Sequence, residues 1–345
     1  MSRYVIDLGM KAPPASSPPE IRGRNREDVK LLTIDRRSGI FRHHSVGDLK
    51  RLLHPEDILV VNNSKAIPAS LPVIYGDQPG IAHLAARLSP HHGIIERRTA
   101  GGAPDWSNLP TDTSVTIQDS KGHLISTGLV TGHFHPRSRF WSVATDRDWY
   151  EIAQRIGVPI RYHYVANPYP IERYQTIFGH VPGSSEMPSA SRPFTQELVN
   201  RLHERGVTIV PLTLHTTVSS HEISDTNPDF PILPEWFSIP ETTQKIVLQA
   251  HHEKRPIIAL GTTVARALET WAYTTHTSGW TTHLITPNTA PRLTKGLITG
   301  LHDSFTSHLL LLYAFLDPNH LRTAYHAAGQ AGYLWHEFGD LSLIR

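Results

Sequence analysis

Short apolar runs with the spacing of strands mark the beginning of the chain. The segments 31–35 and 40–41 flank a polar turn at 36–39, and this order predicts two short strands joined by a turn. Residues 57–63 predict a buried strand that runs into a polar loop, because four consecutive apolar residues there are followed by two asparagines. This part of the chain is therefore expected to be rich in strands.

The apolar pattern then changes. Short β-like runs such as 114–117 and 140–144 alternate with turns that contain glycine, proline and aspartate. Such a pattern predicts a small all-β domain inserted into the chain. We place the inserted domain at residues 69–147 and the main domain at residues 1–68 together with 148–345.

Helical and strand patterns alternate after the inserted region. Residues 149–156 and 195–205 have the spacing of helices, and the second of them is followed by a buried strand at 207–214. Another buried strand at 257–260 leads directly through a Gly-Thr-Thr turn into a helix at 264–273. This order of strand, turn and helix is typical of an α/β domain.

Composition narrows the possible classes of protein. A length of 345 residues favours two domains, and no apolar run is long enough to span a bilayer. The first ten residues lack the apolar middle of a secretory signal, so we expect a cytoplasmic protein. The absence of cysteine excludes disulfides, thiolate nucleophiles and cysteine-based metal sites. A formal net charge of +2 predicts no general attraction to nucleic acid.

Histidine is frequent, with 23 residues, and this invites the hypothesis of a metal site. No helix carries the pair of histidines four residues apart that a catalytic zinc site uses. His133 and His135 place two imidazoles on one side of a strand, but Pro136 indicates that the strand ends there. We therefore predict no metal, and interpret these histidines as surface or hydrogen-bonded residues.

The turn formed by Gly261, Thr262 and Thr263 is a candidate binding site. Backbone N–H groups at the N-terminus of a helix, together with two hydroxyls, can bind a carboxylate or a phosphate. The alternative is ordinary capping of the helix by Thr262 or Thr263. The turn lacks the lysine of a phosphate-binding loop and the spaced glycines of a dinucleotide site.

Three further segments carry polar groups. Tyr174, Gln175 and Thr176 precede a polar stretch at 183–190 that is rich in small residues, and the alternative is a loop that merely connects elements. His215 lies at the end of a strand and His302 lies just before an apolar helix. A single histidine is more often structural than catalytic.

These segments carry a resemblance to one family. The matching positions, in order, are 174–176, Gly183, Ser184, Pro188, 194–195, 213–215, 261–263, Arg266, 268–269, 297–299, His302 and 339–340. Their order and spacing resemble the S-adenosylmethionine:tRNA ribosyltransferase-isomerases of queuosine synthesis, over nearly the whole chain. The resemblance implies an α/β main domain interrupted by a small antiparallel β-barrel domain.

The resemblance also implies a reaction. The family takes the ribosyl part of S-adenosylmethionine, releases adenine and methionine, and modifies the aminomethyl group of a 7-deazaguanine in tRNA. S-adenosylmethionine is then a substrate, and no cofactor is expected. Its sulfonium acidifies the neighbouring ribose hydrogens, so the protein supplies positioning, a base, an acid and charges.

The resemblance and this chemistry together assign residues to roles. We expect His302 and His215 to transfer protons, with Glu269 or Asp340 orienting them or balancing charge. The helix after His302 is expected to favour its neutral, basic ring through the helix dipole. The residues expected to bind the donor are Gly261, Thr262, Thr263, Arg266, Tyr174, Gln175, Thr176, Ser184 and Thr299.

The chain departs from the family pattern at several polar positions. Pro193 replaces a histidine, and Asn63 and Lys65 replace an aspartate and an arginine. Glu186 and Tyr162 stand where the family has an alanine and a proline. These changes favour a paralogue that kept donor binding but lost recognition of the family's acceptor.

We therefore predict that S-adenosylmethionine, or a related nucleoside, reacts with a small molecule of secondary metabolism rather than with tRNA. Affinity for tRNA is expected to be weak and nonspecific. Two alternatives remain. One is a genuine tRNA ribosyltransferase-isomerase that makes epoxyqueuosine, and the other is a catalytically inactive RNA-binding homologue.

Overall fold

The computed structural model describes residues 8–10, 13–136, 138–165, 167–218, 232–304 and 306–345. Its strands, in chain order, are β1 (Lys30–Ile34), β2 (Phe41–Ser45), β3 (Ile58–Asn62), β4 (Ser64–Ala66), β5 (Ser70–Tyr75), β6 (Gln78–Arg87), β7 (His92–Thr99), β8 (Ser114–Gln118), β9 (Leu124–His133), β10 (Phe140–Thr145), β11 (Val181–Ser184), β12 (Thr208–Leu214), β13 (Glu235–Ser238), β14 (Ile257–Leu260), β15 (Ser278–Thr281), β16 (Gly296–Gly300) and β17 (Leu341–Ile344). Its α-helices are α1 (Leu49–Leu52), α2 (Trp149–Ile156), α3 (Gln196–Glu204), α4 (Glu241–His252), α5 (Thr262–Thr274), α6 (Ser307–Leu312) and α7 (Pro318–Gln330).

The main domain is built on a mixed sheet. Within the described residues its nine strands lie in the order β15, β13, β12, β3, β14, β16, β17, β1, β2. The central strands β12, β3, β14 and β16 run parallel to one another, whereas β13 and β15 form an antiparallel edge. At the other side, β17 is antiparallel to β16 and parallel to β1, and β1 forms a hairpin with β2.

The central strand β3 shows why this sheet is covered on both faces. All five of its residues are buried. Ile58 and Val60 belong to the core on one face, and Leu59 and Val61 belong to the core on the other. Successive side chains of a strand point to opposite faces, so a continuous apolar run is what a parallel strand between two helical layers requires.

The inserted region forms a closed antiparallel barrel. Its described strands follow the order β10, β7, β6, β5, β8, β9, with β10 pairing back to β9. Closure removes unpaired edges, and inward-facing residues such as Leu84, Ile95, Ile117 and Val143 fill the interior. The predicted fold class, an α/β domain interrupted by a small β-barrel, is confirmed. The domain boundaries at 68/69 and 147/148 stay a prediction.

Candidate active site

Four parallel strands of the main sheet end at one edge. They are β12, β3, β14 and β16, which are neighbours in this order. Their carboxyl ends carry His215, Ser64, the turn 261–263 and Thr299. Open α/β sheets bind ligands outside the carboxyl ends of their strands. The topology therefore brings His215, the turn 261–263 and Thr299, which were predicted separately, to one edge of the sheet. Ser64, which was not predicted, lies there as well.

The turn 261–263 joins β14 to α5. Gly261 has a φ of +102°, a conformation that favours glycine, and its N–H donates to the carbonyl of Ile298 at 2.7 Å. Among the described residues, no side chain caps α5, so neither Thr262 nor Thr263 acts as its cap. The first N–H groups of the helix are thus left without a side-chain partner, as a site for an anion or a polar ligand requires.

His215 is held by serine hydroxyls. Its Nδ1 lies 2.7 Å from Ser64 Oγ, which lies 2.6 Å from Ser184 Oγ. The ring stacks on Trp236 with centroids 5.4 Å apart. Burial lowers the pKa of His215 to about 4, so the ring is neutral at neutral pH, the form in which it can accept a proton. No described residue hydrogen-bonds its Nε2.

A cavity of about 310 Å³ lies beside His215, where the barrel meets the main domain. Arg87 of β6 and Tyr150 of α2 line one side, and Trp236 and Trp280 line the other. The two tryptophans are register partners in β13 and β15, so their side chains lie on the same face of the sheet. Aromatic rings with a few polar groups are typical walls for a flat heterocycle.

His302 and Thr299 form the second histidine group of the edge. Thr299 Oγ1 lies 2.9 Å from His302 Nε2, and the His302 ring stacks on His308 with centroids 4.8 Å apart. Burial, and then the neighbouring His308 and His336, hold the pKa of His302 well below its ordinary value. Helix α6 has six residues and is capped by the Thr306 side chain. Burial, rather than the expected helix dipole, is therefore the main cause of the neutral ring.

Glu269 and Asp340 hydrogen-bond backbone N–H groups rather than either of the two histidines. The Glu269 carboxylate is buried and accepts N–H groups from residues 292–294 at 2.7–3.1 Å. Asp340 accepts the N–H groups of Lys30 and Leu334 at 2.7 and 2.8 Å. Because these backbone groups occupy both carboxylates, neither hydrogen-bonds His215 or His302. The structure gives them the role of fixing the chain path.

Arg266 supports the site from the side of α5. Its guanidinium pairs with one carboxylate oxygen of Glu235, and the other oxygen of Glu235 accepts the N–H of Thr217 at 3.2 Å. Thr217 lines the cavity two residues after His215. Arg266 therefore acts on the cavity wall through Glu235. Its described ion pair is with Glu235 and not with the turn 261–263.

The segment with Tyr174, Gln175 and Thr176 mainly holds the strand β4 in place. The Gln175 side chain accepts from the Ala66 N–H at 3.2 Å and donates to the Ala66 carbonyl at 2.9 Å. Tyr174 is buried against Phe338, with ring centroids 5.4 Å apart, and Thr176 is buried as well. Gln175 and Ser184 flank the Ser64 end of the site, one on each side of β4.

The chain resembles known proteins over nearly its whole length. Residues 10–344 match the family model described as a queuosine biosynthesis protein. The chain belongs to this queuosine biosynthesis family. The predicted resemblance is therefore confirmed, and it covers both the main domain and the barrel.

Two members of the queuosine biosynthesis family illustrate the match. The chain is 30% identical to a protein of Heliobacterium modesticaldum, covering 92% of this chain and 93% of the relative. It is also 30% identical to a protein of Pelodictyon phaeoclathratiforme, covering 96% and 95%. Both are named S-adenosylmethionine:tRNA ribosyltransferase-isomerase. A crystal structure of an S-adenosylmethionine tRNA ribosyltransferase from Thermotoga maritima covers 99% of both chains at 22% identity and a TM-score of 0.54, which shows the same fold.

Asn62 is a central residue of this site that was not predicted as one. It is fully buried, and its Oδ1 accepts the N–H groups of Ser64 and Leu214 at 3.0 and 3.1 Å. Its Nδ2 donates to the Leu214 carbonyl at 2.8 Å and reaches Thr263 Oγ1 at 3.4 Å. Asn62 thus joins the His215 group to the turn 261–263. A polar residue at the end of a wholly apolar strand was the available signal.

The histidines of the described residues do not gather into a metal site. The described residues hold no cluster of three or more His, Cys, Asp or Glu side chains that could bind a metal. His133 instead stacks on Trp141, with ring centroids 4.0 Å apart, and its Nε2 lies 2.6 Å from the Ser138 carbonyl. None of the described helices has the length and apolar character that a membrane span needs.

Proposed function

We propose that this protein is a transferase-isomerase that uses S-adenosylmethionine as a ribosyl donor, without a cofactor. The observation that carries the proposal is the shared edge of β12, β3, β14 and β16, where the uncapped N-terminus of α5 lies beside a neutral histidine on each side. The names of the family members support the same donor. A catalytically inactive homologue would have no need to keep these groups together.

The donor's own charge makes this chemistry possible with modest protein groups. The sulfonium acidifies the hydrogens on the neighbouring ribose carbon, so a weak base is sufficient to remove one of them. We assign this step to His215, whose Nε2 is unbonded and whose neutral form is favoured by burial. The turn 261–263 would orient the donor through its N–H groups and hydroxyls. We assign His302, fixed by Thr299, to the second proton transfer of the reaction.

Donor binding can be tested at the turn. We expect Thr263→Val to weaken the binding of S-adenosylmethionine about tenfold, because it removes a hydroxyl at the uncapped helix end without changing volume. The measurement is isothermal titration calorimetry, followed by mass spectrometry for released adenine and methionine. The matched control is Thr274→Val at the far end of α5, which should bind like the wild type. Equal affinity of all three proteins would contradict this placement of the donor.

We further propose a small-molecule acceptor in the cavity beside His215. A volume of about 310 Å³ suits one heterocyclic group between Trp236, Trp280 and Tyr150. The cavity lining contains one arginine, Arg87, and that side chain already pairs with Asp148 and stacks on Tyr150. Phosphate contacts of the kind that hold RNA need basic groups that are not engaged in this way.

A second function, modification of tRNA, is favoured by the names of the two relatives. The two functions differ in a direct assay with S-adenosylmethionine and one of two acceptors. These are 7-aminomethyl-7-deazaguanine as the free base, and a tRNA that carries the same base in its anticodon. We expect the tRNA to cause no release of adenine and methionine beyond that seen with the free base or with no acceptor, and tRNA binding to disappear between about 50 and 200 mM salt. Release with the tRNA alone, and tight binding at physiological salt, would establish the tRNA function instead.

A further inference from the structure

A group of acidic and aromatic side chains lies next to the candidate active site. We call Tyr162, Tyr164, Glu186, His336 and Glu337 the acid–aromatic cluster. The Tyr162 and Tyr164 rings are parallel with centroids 5.6 Å apart, and His336 stacks on Tyr164 at 4.9 Å. The Tyr162 hydroxyl donates to the Glu186 carboxylate. All five residues are partly buried, so the cluster remains within reach of a ligand.

The cluster is tied to both histidine groups of the site. Glu186 follows Ser184 by two residues, and its carbonyl accepts the hydroxyl of Thr216, the residue after His215. On the other side His336 Nε2 lies 3.1 Å from the carboxylate of Asp303, the residue after His302. Backbone and side-chain contacts thus fix the cluster between the two candidate proton-transfer residues.

The cluster brings two carboxylates close together. Glu186 and Glu337 act on one another, and the guanidinium that reaches Glu337 is that of Arg192, which is already bound to both carboxylate oxygens of Glu20 at 3.0 Å. Glu337 Oε2 is buried without a partner among the described residues. Burial and the charge of Glu186 raise the pKa of Glu337 well above its ordinary value.

An unpaired hydroxyl points to the same place. Tyr174 is 3% exposed, and its hydroxyl has no partner among the described residues. Burial and the charge of Glu337 raise its pKa. Polar groups that are buried in this way normally have hydrogen-bond partners. The lack of a partner for the Tyr174 hydroxyl therefore indicates that a ligand would supply one. The titratable or charged groups around Glu337 and Tyr174 are Glu186, Arg192, Tyr162, Tyr164, Arg161, Tyr169 and His336.

We propose that the acid–aromatic cluster binds an organic cation, the positively charged group of the donor, between its two carboxylates and its stacked rings. This inference rests on the proposed function, because S-adenosylmethionine carries two such groups, a sulfonium and an ammonium. Stacked aromatic rings and carboxylates are what a desolvated cation requires.

The proposal predicts that binding of the donor releases a proton. Burial and the charge of Glu186 favour the protonated form of Glu337 in the empty site, whereas an arriving cation favours its ionised form. Calorimetry of the whole protein with S-adenosylmethionine, in two buffers of different ionisation enthalpy, counts the protons released. We expect up to one proton per ligand at pH 7, and an affinity that rises with pH until Glu337 is ionised in the free protein. Glu337→Gln should abolish the release and weaken binding about 10- to 100-fold.

Matched variants and ligands make the result decisive. Glu172→Gln removes the same charge from an exposed position and should behave like the wild type, whereas Glu186→Gln should also weaken binding. If S-adenosylhomocysteine, which lacks the sulfonium, is unaffected by Glu337→Gln, the bound cation is the sulfonium; an equal loss for both ligands identifies the ammonium. Proton release of zero by the wild type, or unchanged affinity of both variants, overturns the inference alone. Absence of any binding of S-adenosylmethionine to the wild type overturns the proposed function and the inference with it.

Discussion

We expect His215→Ala to lower the rate of adenine and methionine release by roughly 100- to 10,000-fold, the usual contribution of a general base. The affinity for S-adenosylmethionine should change little, because the groups proposed to bind the donor are the turn 261–263 and the acid–aromatic cluster rather than His215. The reason is geometric. Ser64 fixes Nδ1 at 2.7 Å, the described residues leave Nε2 without a hydrogen-bond partner, and His215 lines the cavity. Single-turnover rates and calorimetry separate the two effects.

The pH profile adds a second readout to this variant. Because the pKa of His215 is about 4, the rate of the wild type should fall only as the pH approaches 4, not near 6.5. The lowered pKa of His215 also affects the stability of the fold. The unfolded chain takes up a proton at a higher pH than the folded chain, so the neutral ring stabilises the fold above about pH 6.5 and this contribution is lost as the pH falls toward 4.

A suitable control is His276→Ala, which changes an exposed histidine in the loop after α5. It should retain the wild-type rate and pH profile. If His215→Ala also retains the wild-type rate while binding the donor, then the base is another residue. His302→Ala, tested in the same way, would show whether that residue is the second histidine of the edge.

The parts of the site that the sequence predicts are those with a local signal. The turn 261–263 stands out because an apolar strand, a glycine and a helical pattern follow one another within a few residues. Gly261 confirms the reason, since its φ of +102° is one that glycine adopts most readily. The strands of the barrel are predictable in the same way, from short apolar runs between turns.

The parts that escaped prediction depend on distant residues. Ser64 meets His215 across 151 positions of sequence, and Ser184 joins them through its hydrogen bond to Ser64, yet no local pattern pairs these three residues. Glu269 and Asp340 are residue types that often serve in catalysis, yet their hydrogen-bond partners here are backbone N–H groups. Whether a carboxylate orients a histidine or fixes a loop depends on which distant segments the fold brings next to it. The sequence around the carboxylate does not show this.

Gly183→Ala provides the sharpest test of how His215 is positioned. A methyl group at Gly183 would lie 2.4–2.6 Å from three atoms of the His215 ring, well inside van der Waals contact. The ring is pinned by Ser64 and stacked on Trp236, so it must leave its position. We expect the rate to fall as far as in His215→Ala, and the free energy of unfolding to fall by about 1–3 kcal/mol, as overpacking usually costs.

A double-mutant cycle shows whether this contact is the cause. In the His215→Ala background the three atoms nearest to the new methyl group are absent, so the alanine at position 183 should cost much less stability than in the wild type. A small loss should remain, because the φ of +155° at Gly183 is one that residues with a side chain rarely adopt. Gly132→Ala in the barrel, where a methyl group meets nothing within 4 Å, is the matched control. Urea denaturation of the wild type, the two single variants and the double variant gives the coupling energy directly. Strictly additive losses of stability would mean that Gly183 is required for a reason other than the position of His215.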